Sequence, residues 1–118
     1  VNENILSKVV GSSLVYLESN HDEIMLRNNS KYSASLKARI LGRNGHLSNT
    51  TCAKAIEYLV KKGGLKQVML SHLSRNNNTD ILAYTTVCDY LKSKGIIEGE
   101  HIKISVASLE ISTIFNLN

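Results

Sequence analysis

Lys66–Ser71 (KQVMLS), His72–Asn78 (HLSRNNN), Thr79–Lys94 (TDILAYTTVCDYLKSK) and His101–Ala107 (HIKISVA) follow one another closely, and their order decides the fold. The first is a compact apolar run with the length of a buried strand. The second is polar and rich in turn-forming residues. The third is helical: Asn78 or Thr79 caps it, Asp80 sits in its first turn, and Gly95 closes it. Its apolar residues fall on two faces, Ile81, Tyr84, Cys88 and Leu91 on one and Ala83, Val87 and Tyr90 on the other. That pattern predicts packing on both sides. The fourth stretch alternates at first and reads as a strand. Strand, helix and strand over 66–107 make a βαβ unit, for which a right-handed crossover and parallel strands are the expectation. Binding sites in such sheets lie at the carboxyl ends of strands.

The chain upstream repeats the alternation. Asn4–Val10 reads as a short helix ended by Gly11, Ser13–Glu18 (SLVYLE) as a buried strand, and Asp22–Arg27 as a helical turn. Asn28-Asn29-Ser30 is a loop. Ser33–Leu41, with Leu36 and Ile40 at i,i+4, is helical and stops at Gly42. Arg43–Asn49 is a polar loop, from which Ser48 or Asn49 caps a helix over Thr50–Lys62. Cys52, Ile56, Leu59 and Val60 keep its 3.6 period, and Gly63-Gly64 stops it. Ile111–Phe115 is a final short strand. The fold class is α/β.

Composition sets the outer limits. With 118 residues, the chain makes one compact domain or a piece of one. Its 42% apolar content excludes wholesale disorder. The net charge of +4 permits an anionic partner without showing one, because Lys and Arg are spread along the chain. Cys52 and Cys88 form no C-x-x-C pair, which excludes a zinc knuckle and suits buried thiols in a reducing compartment. No apolar run approaches the ~18 residues of a membrane span, and no signal peptide is visible. A cytoplasmic location is the expectation.

The informative motif is an echo. Gly45-His46-Leu47-Ser48-Asn49 and Ser71-His72-Leu73-Ser74-Arg75 share H-L-S, and each precedes a helix. His72 also follows a strand, which places it where the sheet's carboxyl edge meets a helix N-terminus. An imidazole there suits a metal, and the adjoining helix start, with Asn77 and Asn78, suits an anion. By itself, a loop histidine is more often a polar side chain facing solvent. Ser19-Asn20-His21-Asp22 is the second polar cluster at a strand end, where Asn20 or Asp22 serves equally well as a helix cap. His101 opens a strand and reads as structural. No G-x-S-x-G, Walker loop or H-E-x-x-H is present. Tyr16, Tyr58, Tyr84 and Tyr90 fall mostly on apolar faces and read as core.

Taken in order, Leu17-Glu18-Ser19-Asn20-His21-Asp22, Met25-Leu26, Leu36-Lys37 with Arg39-Ile40, the two H-L-S blocks, Asn77-Asn78 and Val106-Ala107-Ser108 resemble the carboxyl-terminal half of the YycJ-like (WalJ-like) branch of metallo-β-lactamase-fold hydrolases. The resemblance covers essentially the whole chain. It implies an αββα sandwich of which residues 1–118 form a single unit, a fragment of a longer domain. The absent initiator Met agrees with that. The resemblance also implies a site for two divalent ions, zinc or manganese. The family's H-x-H-x-D-H is missing here, so the fragment alone is expected to be empty and inactive. By position, His72 resembles the last metal-ligand histidine and His46 the histidine of related nucleases that donates a proton or supports a metal ligand from behind. Asn77 and Asn78 resemble the family's paired asparagines near substrate. His21 and Asp22 have no assigned role, and Asp80 departs from a proline common in the family. The implied activity is metal-dependent hydrolysis of a phosphodiester by metal-bound hydroxide, as in a nuclease. Two alternatives stay open: a metallohydrolase acting on a non-nucleotide ester or lactone, and a non-enzymatic α/β interaction module. Nucleic acid or another phosphodiester substrate is the implied partner, no membrane is, and half a sandwich is expected to self-associate.

Overall fold

A computed structural model describes residues 14–41 and 46–107. Its elements run β1 (Leu14–Glu18), α1 (Glu23–Asn28), α2 (Ala34–Leu41), α3 (Asn49–Gly63), β2 (Gln67–Ser71), α4 (Asp80–Ser93) and β3 (Lys103–Val106). The three strands form one parallel sheet in the order β1-β2-β3. The α/β class and the parallel βαβ pairing of β2 with β3 agree with the sequence reading. The expected helix at Asn4–Val10, the stop at Gly42 and the final strand at Ile111–Phe115 lie outside the described residues.

Register decides which side chains form the core. Val15 pairs with Val68 and Val68 with Ile104, while Leu17 pairs with Leu70 and Leu70 with Val106. Side chains alternate across a strand, so these six share one face. Helices α3 and α4 pack on it through Cys52, Ile56 and Leu59 and through Ala83, Val87 and Leu91, all buried. These spacings of three and four put each set on one helical stripe.

Local chemistry sets the boundaries. Ser48 Oγ accepts from the Thr51 N–H at 3.0 Å, so Ser48 is the cap and Asn49 the first helical residue. Thr79 Oγ1 accepts from Leu82 N–H at 2.9 Å and does the same for α4. Gly64 ends α3 at φ +67°, in the left-handed region that favours glycine.

Four expectations change. Among the described residues, helix α4 packs along one broad side that takes in Tyr84 and Cys88 but not Ile81, which is 79% exposed because it lies two residues before Ala83, about 200° round the helix. Tyr16 is 66% exposed, since its face of the sheet carries no helix among the described residues. Cys88 is half-buried, while Cys52 is fully buried. The strand expected over 101–107 is shorter, because His101 Nδ1 accepts from the Ile97 N–H at 2.9 Å and stays in the preceding turn. The structural reading of His101 agrees with that bond. No helix among the described residues is long and apolar enough to cross a membrane.

Candidate active site

The polar cluster after β1 runs between the two H-L-S loops and bonds to both. Ser19 N–H donates to the Ser71 carbonyl at 2.9 Å, and Asn20 N–H to the Leu47 carbonyl at 2.9 Å. The Ser74 N–H donates to the Asn20 carbonyl at 2.7 Å, and the Asn49 N–H to the His21 carbonyl at 2.8 Å. Strand β1 thus extends its pairing past its own end, and the two loops are held on opposite sides of residues 19–21. The site lies at the carboxyl edge of the parallel sheet, where that topology places sites.

Glu18, the last residue of β1, joins the two histidines. His46 Nδ1 lies 3.1 Å from each carboxylate oxygen, and His72 Nδ1 lies 3.5 Å from Oε2. The Leu47 N–H donates to Oε1 at 2.8 Å and fixes the carboxylate. With Nδ1 of His46 facing an acceptor, its Nε2 is the nitrogen left for other chemistry. Glu18 is largely shielded, whereas both imidazoles are mostly exposed. His72 adopts φ +55°, a left-handed conformation uncommon outside glycine. Its carbonyl accepts from Asn20 Nδ2 at 2.8 Å, which holds the turn and aims the ring back toward Glu18.

The paired asparagines have different surroundings. Asn78 Nδ2 donates to the Ser19 carbonyl at 2.9 Å and to Asn49 Oδ1 at 2.8 Å. Its Oδ1 accepts from Asn49 Nδ2 and from the Thr79 N–H. Both amide hydrogens are therefore engaged inside the protein, and none is left for a substrate. Asn77, also buried, accepts from Asn29 Nδ2 at 2.9 Å and lines a cleft of about 470 Å³. His46, Asn20 and Ser74 line the same cleft, which separates this cluster from α2.

Asp22 caps α1 by accepting the Met25 N–H at 3.0 Å, the local role that its position allowed. His21 is only 1% exposed, and burial lowers its pKa. Its Nδ1 lies 3.2 Å from Asn20 Oδ1, and its Nε2 is buried without a partner. Burial pushes the Cys52 thiol up to about 12, so it supplies no thiolate at neutral pH.

Among the described residues, no group of three or more His, Cys, Asp and Glu side chains could hold a metal ion. His72 and Glu18 are suitable donor types, but a pair falls short of the three or four protein ligands a bound ion takes. Sequence reasoning singled out both histidines but gave Glu18 only as part of a motif and Asn20 and Asn49 only as possible helix caps, missing that these three organise the site. The signals were present: an acid at a strand's carboxyl end, and asparagines beside each H-L-S echo.

No protein-family model matches the chain, and no solved structure does. The chain is 36% identical over 104 residues to exodeoxyribonuclease YycJ of Bacillus anthracis, a match covering 88% of this chain and 39% of that protein. It is 36% identical over 99 residues to exodeoxyribonuclease WalJ of Streptococcus pneumoniae, covering 82% of this chain and 35% of that protein. The chain thus spans about two fifths or less of the length of these curated relatives. Over most of its own length, the chain is similar to the YycJ and WalJ exodeoxyribonucleases, as the order of its motifs indicates.

Proposed function

We propose that this chain is the carboxyl-terminal part of a metal-dependent nuclease of the metallo-β-lactamase fold, acting on DNA. The observation that carries the proposal is Glu18, whose carboxylate gathers both H-L-S histidines at the sheet's carboxyl edge. The names of the relatives supply the substrate class. In this reading, His46 donates a proton from Nε2 to the oxygen that leaves the scissile phosphodiester. Glu18 stabilises the imidazolium from the Nδ1 side and fixes the ring's orientation. Asn77 faces the substrate from the cleft, while Asn78 holds the loop geometry. His72 would supply one imidazole to a metal centre that residues outside this chain would complete. Divalent ions polarise a phosphodiester and acidify a coordinated water.

The test uses the full-length protein with added Mn²⁺ or Zn²⁺ and a DNA substrate. His46→Ala and Glu18→Gln each lower kcat by about 100-fold or more, the usual range for removing general acid catalysis. His72→Ala lowers metal content as well as turnover. Unchanged turnover in Glu18→Gln would overturn the assigned roles. Turnover of a lactone or carboxylic ester, with DNA untouched, would replace the substrate class. The 118-residue chain alone is expected to cleave nothing.

A further inference from the structure

We infer that the cleft beside His46 seats one unpaired nucleotide of a DNA strand, with Tyr32 against the base and Arg39 on a backbone phosphate. The inference rests on the nuclease reading above and names the part of the substrate that this cleft takes.

One wall of the cleft is α2, which contributes Leu36, Arg39 and Ile40. Their i, i+3, i+4 spacing puts them on a single face of the helix. The opposite wall is the catalytic cluster, through His46 and Asn77. A volume of about 470 Å³ lies within the ~300–1,000 Å³ of small-molecule sites. Tyr32, between α1 and α2, is the aromatic side chain of the lining. It is half-buried, and its hydroxyl accepts from Asn76 Nδ2 at 3.3 Å, which ties the ring to the loop after β2.

Nothing described covers α2: Leu36 and Ile40 are half-exposed and Arg39 is exposed. An aromatic ring, two aliphatic side chains and a guanidinium border one opening, beside the proposed proton donor. A base and its phosphate ask for that combination. The charge agrees. Residues 22–41 carry Arg27, Lys31, Lys37 and Arg39 against Asp22 and Glu23, and Asp22 is occupied as a cap. Arg75 adds a further cation in the loop after β2. A duplex keeps its base faces stacked on one another, so only an unpaired end offers one to Tyr32.

The experiment is fluorescence anisotropy on the full-length protein in excess chelator, so that no strand is cut. The probes are a single-stranded oligodeoxynucleotide and a blunt duplex. Tyr32→Ala weakens single-strand binding about 10-fold, and Tyr32→Phe binds like the wild type. Arg39→Gln, at an exposed position where folding is not at stake, lowers the slope of log K against log salt by about 0.7. Duplex binding changes in neither variant. Wild-type affinity in both Tyr32→Ala and Arg39→Gln would overturn the inference while leaving the nuclease reading intact. So would equal losses on duplex and single strand. A lower Tm with unchanged affinity would also overturn it, and would make the cleft a packing seam for the rest of the protein. A wild-type protein that binds neither probe would overturn this inference together with the nuclease reading.

Discussion

Asn49 and Asn78 exchange both of their side-chain amide bonds: Asn49 Nδ2 donates to Asn78 Oδ1 at 2.9 Å, and Asn78 Nδ2 donates to Asn49 Oδ1 at 2.8 Å. Ser19 Oγ adds a bond to Asn49 Oδ1 at 2.6 Å. The pair is buried and links the end of β1 to the starts of α3 and α4. It is the fixed base on which both histidine loops stand.

Removing one member breaks both exchanged bonds: without Asn78 the Asn49 Nδ2 loses its acceptor, and without Asn49 one Nδ2 hydrogen of Asn78 and the Ser19 hydroxyl lose theirs. Asn78→Ala is expected to destabilise the fold by about 3 kcal/mol, the cost of unpaired buried polar groups. Asn49→Ala should do the same, and the double variant should cost less than the sum of the two. Urea melts of the single and double variants measure this. Strictly additive losses would mean that the two amides do not act as a unit.

Stability should fall on mild acidification because of His21. Burial holds its pKa below the ordinary 6.5, with His46 adding to the effect and Glu18, Asp22 and Glu23 opposing it. The unfolded chain therefore takes up this proton before the folded one does. The contribution is complete above about pH 6.5 and is lost as pH drops below that value. A proton at Nε2 would also place a charged N–H where no acceptor waits. Denaturation midpoints at pH 7.5 and 5.5 check the sign, and His21→Gln should narrow the difference. A wild type more stable at pH 5.5 than at 7.5 would contradict the assignment.

The sheet face opposite α3 and α4 should drive self-association of the 118-residue chain. Tyr16 pairs in register with Met69, and Met69 with Ser105, on that face; Leu14 and Tyr16 are 47% and 66% exposed. Gln67 and Lys103 share the face, but exposed apolar side chains such as Leu14 and Tyr16 seek cover. Light scattering should show a mass above the monomer's, shifted downward by Leu14→Lys with Tyr16→Lys. A wild-type chain that stays monomeric at high concentration would remove the case for a missing layer over this sheet.

Local physics made the elements legible in the sequence. The stripes of α3 and α4, the caps at Ser48 and Thr79 and the glycine after α3 depend on neighbours within about one helical turn. The parallel pairing of β2 with β3 followed from the helix between them. The order of the motifs, again read along the chain, pointed to the relatives that it matches. Tertiary structure alone decided the rest. Strand β1 reads LVYLE, apolar on both faces, so its pattern could not say that Val15 and Leu17 go inward while Leu14 and Tyr16 stay out. Register with β2 settled that, since a slip of one residue would exchange the two faces. The same register carries Glu18 to the sheet's edge, where it meets a histidine 28 residues away and a second one in the loop after β2. It also brings together asparagines 29 residues apart. Contacts at such separations depend on packing, not on local preference, which is why both histidines stood out in the sequence while the place of the Glu18 carboxylate between them did not.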